Sequence, residues 1–203
     1  MDLALFDFDG TITYKETMPH FMRLAVRPHR KWLGSVLLMP FLFGYKARIV
    51  SGTVVRALIC RLGFWRIPTH ELEAHGKHFA QHVLPATLRA EAMKRIAWHK
   101  QRGDTVVVVS GGLDLYLSHW CQQHDIELLC SALEQRNGHF TGRYLGRQCV
   151  RDEKARLVRE RYPLSKFSRV FAYGDTPEDH ELLALAHEPY YRWQPLSKRV
   201  ASA

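Results

Sequence analysis

Four stretches of the chain are apolar over a strand's length, and longer segments with helical spacing separate them. Leu3–Phe8 opens the series, Thr105–Val109 is a continuous β-branched run, and Glu127–Cys130 and Arg169–Tyr173 complete it. A β-branched run without polar alternation suits a strand buried on both faces. Before that run, Leu88, Ala92, Met93, Ile96 and Ala97 form one stripe that predicts a helix over 86–101. Gly103 and Asp104 then turn the chain into the strand. Further helices are predicted at Leu113–Gln123 and at Asp152–Arg161, the second stopped by Pro163. Strands alternating with crossover helices make this an α/β chain with a parallel sheet.

The interval 14–84 breaks the alternation. It shows no convincing strand, and Val50, Val54, Ala57 and Leu58 carry helical spacing. Some 70 residues are too many for an ordinary strand-to-helix connection. Residues 1–13 and 85–203 are therefore expected to form the core, with 14–84 as an inserted helical domain. Gln135–Phe140 reads as a small hairpin around the Asn137-Gly138 turn. Disorder is expected, if anywhere, at the tail Pro195–Ala203.

Composition narrows the class without choosing a function. Of 203 residues, 46% are hydrophobic and 24% charged, as in ordinary soluble globular chains. Lys and Arg number 29 against 20 Asp and Glu, giving +9, a field that favours anionic partners. Cys60, Cys121, Cys130 and Cys149 are widely spaced with no C-x-x-C pair, which argues against a zinc site and for a reducing, cytoplasmic setting. The chain opens directly into a strand, so a cleaved signal peptide is not expected. Trp32–Tyr45 is apolar over 14 residues, short of the roughly 20 that span a bilayer, and is interrupted by Pro40. Arg27, His29, Arg30 and Lys31 flank it on one side, Lys46 and Arg48 on the other. A packed helix pair or subunit contact is the plainer reading; peripheral contact with the inner face of a membrane is the other.

Chemistry gathers where the strands should end. In extended chain, Asp7 and Asp9 point to the same side and repel unless a cation lies near or one of them turns away. Thr105–Val109 runs into Ser110-Gly111-Gly112, whose glycines let backbone approach a ligand. Arg169–Tyr173 runs into Gly174-Asp175-Thr176-Pro177-Glu178-Asp179, and Lys154 opens the helix between these units. Open α/β sheets bind ligands beyond their strands' carboxyl ends, so Asp7, Asp9, Ser110, Asp175 and Asp179 should share one crevice within reach of Lys154. Clustered carboxylates need a divalent cation, and all-oxygen donors suit Mg²⁺. Serine, glycine amides and a lysine beside that ion suit a phosphate. Nucleic acid is not expected as a partner, because no stacked aromatic and basic array is present.

Phe6-Asp-Phe-Asp-Gly-Thr11, Val109-Ser-Gly-Gly112, Lys154 and Gly174-Asp-Thr-Pro-Glu-Asp179, in this order, resemble the four motifs of the haloacid dehalogenase (HAD) superfamily. A helical insertion straight after the first motif resembles the subclass containing phosphoserine phosphatase, as do Val106–Asp114 and Glu16. The resemblance implies a Rossmann-like core with a small all-helical cap of the C1 type. It further implies an Mg²⁺-dependent phosphatase in which Asp7 is the nucleophile and Asp9 moves the proton. Asp7, the Asp9 carbonyl, Asp175 and Asp179 would hold the metal, while Phe8, Ser110, Gly111 and Lys154 would hold the phosphoryl group. Glu16 would take a substrate amine or merely pair in the hinge. Three departures, one of them Thr176 and Glu178 where the fourth motif of the phosphoserine relatives has Gly and Asn, leave the substrate open, as a small or amphiphilic phosphate ester. Relatives acting on phosphoserine usually have Ser where Gly10 stands, and no clear counterpart exists for their carboxylate-binding Arg, although Arg56 is near. The stretch 32–45 is instead similar to caps of bacterial phosphatidylglycerophosphate phosphatases. Transfer to an alcohol acceptor remains an alternative to hydrolysis. Oligomeric state is left open.

Overall fold

The computed structural model describes residues 1–196. Strand β1 (Leu3–Phe6) is buried along its whole length. Four helices follow: α1 (Met18–Ala25), α2 (Pro28–Lys46), α3 (Gly52–Phe64) and α4 (Thr69–His78). A π turn and a 3-10 turn over 79–87 lead into α5 (Ala90–Gln101). Then come β2 (Thr105–Leu113), α6 (Asp114–His124), β3 (Glu127–Ser131) and the hairpin of β4 (Leu133–Arg136) and β5 (His139–Tyr144). The chain closes its described part with α7 (Asp152–Arg161), β6 (Val170–Gly174), α8 (His180–Leu183), β7 (Glu188–Tyr191) and β8 (Gln194–Pro195).

The main sheet has the order β3-β2-β1-β6-β7-β8 and is parallel except for β8. Period-two geometry splits each central strand between two cores. Ala4, Phe6, Val106 and Val108 enter one apolar cluster; Leu3, Leu5, Val107 and Val109 enter the other. This is why the β2 sequence lacks polar alternation. The first cluster continues into the helices after β1, where Phe21 and Phe79 pack on Tyr116 with ring centroids 5.0 and 5.2 Å away.

Several boundaries differ from the sequence expectation. Strand β1 ends at Phe6 rather than Phe8, since the chain turns there to present Asp7, whose N–H still donates to the Tyr173 carbonyl at 2.9 Å. Strand β2 does not end in a Ser-Gly-Gly loop but runs on to Leu113 through a register shift between Ser110 and Leu113. Its glycines are needed for close packing: a Cβ on Gly111 would lie 2.8 Å from Val150 Cγ1, and one on Gly112 2.9 Å from Leu117 Cδ1. Helix α5 starts at Ala90, because Leu88 and Arg89 pair with Thr13 and Ile12. Strands β7 and β8 were not expected, being short and each carrying a proline, Pro189 and Pro195; β8 forms the sheet edge beyond β7. The expected disorder over 195–203 is not met at Pro195, in β8, or at Leu196, whose N–H donates to the Pro189 carbonyl. Residues 197–203 lie outside the described residues.

The interval 14–84 was expected to hold several helices and contains α1 to α4. Pro40 does not interrupt the apolar stretch 32–45; α2 runs through it, forgoing one backbone donor while the turns on either side continue. The β4–β5 hairpin packs on this insertion. Arg66 N–H donates to the Phe140 carbonyl at 2.8 Å, and Phe140 N–H to the Ile67 carbonyl at 2.9 Å. Gly142, at φ +72°, permits the approach, since a Cβ there would lie 2.9 Å from Arg61 Cα.

Candidate active site

Parallel strands in register deliver their ends to one edge of the sheet. Phe6 pairs with both Val108 and Tyr173, so Asp7 comes level with Val109 and Gly174, one residue before Ser110 on β2 and Asp175 after β6. One carboxylate oxygen each from Asp7, Asp175 and Asp179 lies within 4.8 Å of the others. Asp7 and Asp179 are buried and Asp175 is half-buried. Lys154, in the first turn of α7 and buried, places Nζ 2.5 Å from Asp7 Oδ1 and 2.6 Å from Asp179 Oδ1.

One ammonium among these carboxylates sets the electrostatics. Burial lifts the Asp7 carboxyl well above its ordinary range, partly offset by Lys154. Burial likewise raises Asp9 and Asp175, against the hydrogen bonds each accepts. Asp179 goes the other way: burial pushes it up, but the Lys154 charge and the N–H groups of Thr176 and Asp175 outweigh that and hold it low. Lys154 loses solvation yet is held firmly charged by Asp7 and Asp179.

The carboxylates are also held by Thr11, Thr17 and Thr176, to which the sequence alone assigned no role. Asp179 Oδ2 accepts from the N–H of Asp175 at 3.1 Å and from the N–H and hydroxyl of Thr176 at 3.0 Å. Asp175 Oδ1 accepts from the Thr11 hydroxyl at 3.1 Å. Asp9 Oδ1 accepts from Thr17 N–H at 2.9 Å, and the Thr17 hydroxyl is 3.1 Å from that of Tyr116. Ser110 Oγ accepts from Gly112 N–H at 3.0 Å. Gly10, at φ +79°, keeps the first loop clear of Asp175; a Cβ there would sit 2.3 Å from Asp175 Oδ2.

A cavity of about 650 Å³ has Asp7, Asp9, Glu16, Ser110, Gly111 and Lys154 in its wall, while Asp175 and Asp179 do not line it. Phe8 is not part of that wall: its side chain is fully buried and packs edge-on against Trp120, leaving only its main chain for a phosphate. Partial burial, with the charges of Asp9 and Asp175, lifts Glu16 to about 7 despite Arg56. Arg56 reaches the cavity from α3 and is engaged there, donating to both Glu178 oxygens at 2.9 and 3.2 Å and to Gln148 Oε1 at 3.1 Å. Tyr45, Arg48, Arg151 and Glu178 also line it. Arg48 and Arg151 have φ of 60° and 51°, unusual outside glycine, and no sequence signal marks such residues.

Three hard-oxygen donors in one cluster, with one buried lysine to balance them, fit a divalent cation such as Mg²⁺. The donor set contains no sulfur or imidazole, which sets it apart from zinc and copper sites.

Comparison with known proteins bears on the fold and the family. The chain is 29% identical over 194 residues to protein CicA of Caulobacter vibrioides, covering 94% of this chain and 85% of that one. A protein of unknown function from Bordetella pertussis Tohama I superposes with a TM-score of 0.77 at 19% identity, over 94% of this chain and 89% of that chain. A phospho-aspartyl intermediate analogue of phosphoserine phosphatase superposes at 0.67 and 20% identity, over 94% and 85%. The family model for haloacid dehalogenase-like hydrolases matches residues 4–184, from the first residues of β1 to just past α8. The chain belongs to the haloacid dehalogenase-like hydrolase family.

Proposed function

We propose that this hydrolase is an Mg²⁺-dependent phosphomonoesterase working through a phosphorylated Asp7. The observation that carries the reading is the cluster of Asp7, Asp175 and Asp179 oxygens within 4.8 Å, bridged by Lys154. Likeness in fold to a phospho-aspartyl intermediate analogue of phosphoserine phosphatase supports it.

Asp7 attacks phosphorus through a carboxylate oxygen, and the bond from phosphorus to the ester oxygen breaks. Asp9, held by Thr17 and with a raised affinity for protons, gives its proton to the departing alkoxide. Asp9 then takes a proton from water, whose oxygen attacks phosphorus and displaces Asp7. Inorganic phosphate leaves and both carboxyl groups return to their starting state. Lys154, Ser110 and the Gly111 amide balance charge on the phosphoryl oxygens. Asp7, Asp175 and the Asp9 carbonyl would hold Mg²⁺, with Asp179 joining directly or through water. When bound, the metal supplies further charge neutralisation at those oxygens.

Asp7→Asn should abolish hydrolysis of an aryl phosphate while leaving the fold intact by circular dichroism. Retained activity would refute the mechanism. The substrate is a small or amphiphilic phosphate ester. Arg56 is already committed to Glu178 and Gln148, which counts against its taking a substrate carboxylate as phosphoserine would require. Tyr45 and Arg48, at the end of an apolar helix, line the cavity and favour an amphiphilic leaving group. Parallel assays of phosphoserine and of phosphatidylglycerophosphate in micelles separate the two.

A further inference from the structure

Helix α2 turns its apolar residues outward. Trp32 is 73% exposed, Phe43 65% and Val36 55%, with Leu33, Leu37 and Met39 close behind. Gly34 is the one buried residue of the helix, lying against Leu62 of α3, and Leu38 beside it is half-buried. Arg30, Lys31 and Gly44 are also half-buried, and the remaining residues of the helix face solvent. A contiguous apolar surface of this kind marks a face that is covered in use.

Charge indicates what covers it. From Thr17 to His70 the chain carries nine Lys and Arg and no Asp or Glu. Outside that window twenty basic residues meet twenty acidic ones, so the whole formal charge of +9 resides around α2. Arg27 pairs with Glu71 and Arg56 with Glu178, but Arg30 and Lys31 donate to the carbonyls of Trp65 and Arg23, which leaves their charge unneutralised. Two copies meeting on this face would set like charge against like. An anionic partner with an apolar interior satisfies both features together.

Length fixes the mode. The 14 uncharged residues between Lys31 and Lys46 make about 21 Å of helix, short of the ~30 Å hydrocarbon layer. No described helix is long and apolar enough to cross a membrane. We infer that α2 docks this protein on an anionic lipid bilayer, lying in the interface with residues 32–45 in the acyl boundary and the basic residues at its ends against the headgroup phosphates. Tyr45 and Arg48, at the same end of α2, line the catalytic cavity, so docking brings the mouth of that cavity to the lipid surface. The binding itself stands apart from the proposed reaction and is read without turnover.

Flotation of the full chain with vesicles of two parts phosphatidylcholine to one part phosphatidylglycerol, against pure phosphatidylcholine, tests the inference. The mixed vesicles should bind at least about tenfold more protein, and salt of about 1 M, where screening extends only about 3 Å, should lower that binding severalfold. Lys46→Gln should weaken partitioning by about fivefold. Trp32→Ser combined with Phe43→Ser should weaken it at least about tenfold, with melting temperature and soluble aryl phosphatase activity unchanged. Equal binding to both vesicles, or to neither, overturns the inference. So does a wild-type dimer in vesicle-free buffer that the double substitution converts to a monomer, because a second copy would then occupy α2.

Discussion

Lys154 faces two buried carboxylates at 2.5 and 2.6 Å, and no other described Lys or Arg makes a salt bridge to either of them. Replacing it with Met strands both charges, and breaking a buried pair from one side costs about 3 kcal/mol or more. Lys154→Met should therefore lower metal-free stability in a denaturant titration, and cut kcat by about a hundredfold or more at saturating Mg²⁺. Gly10 makes a finer test. Its φ of +79° and the 2.3 Å from a built Cβ to Asp175 Oδ2 mean that Gly10→Ala must push Asp175 aside. The Mg²⁺ concentration giving half-maximal activity should rise about tenfold, and an unchanged value would show that Asp175 holds no metal. Glu16 tests the field. Its acidity in the folded chain lies near 7 against 4.5 unfolded, so folding disfavours its charged form. The penalty is absent below about 4.5, grows with rising pH and is complete above about 7. Glu16→Gln should remove that part of the pH slope of metal-free stability, and parallel slopes would show that Glu16 feels no such field.

At the scale of elements, two glycines let helices and hairpin touch backbone to backbone. A Cβ on Gly76 of α4 would lie 2.0 Å from the Leu115 carbonyl oxygen of α6. Gly142 of β5 combines a left-handed φ with a built-Cβ distance of 2.9 Å to the α3 backbone. Gly142→Ala should loosen the hairpin from α3 and lower the melting temperature by several degrees, with weaker amide protection at Phe140 as the local readout. Such contacts lie between segments far apart in sequence, so periodicity carries no trace of them. The central strands were legible because burial on both faces erases polar alternation, as in Thr105–Val109. Asp7, Ser110, Lys154 and Asp175 were legible because each follows or interrupts a recognisable element boundary. For Phe8 the sequence did not say whether side chain or main chain faces the ligand; the side chain packs on Trp120 and leaves the main chain for that role. Thr17 and Arg48 were missed, being polar residues of an insertion whose register against the core only the fold defines.

For the whole molecule, a basic protein surrounds an acidic centre, and the two halves of that contrast sit in different places. The positive charge resides in the helices after β1, while Asp7, Asp9, Asp175 and Asp179 meet at the sheet edge around one Lys154. Burial raises Asp7, Asp9 and Asp175 above the ordinary carboxylate range, so folding without metal opposes their ionised forms. Such groups favour the folded chain at acidic pH and cost stability as pH rises past their unfolded values. A divalent cation reverses this for Asp7 and Asp175 by binding their ionised carboxylates in the folded state alone. At a hundred times its dissociation constant it should add about 2.7 kcal/mol, or about 5 to 10 °C in melting temperature for a chain of this size. Protons compete for the same oxygens, so the Mg²⁺-induced shift should be larger at pH 8 than at pH 5, and Asp175→Asn should diminish it. Calorimetry with EDTA and with Mg²⁺ at both pH values measures the four cases. A shift independent of pH, or one that survives Asp175→Asn intact, would move the ion away from this cluster and take the proposed chemistry with it.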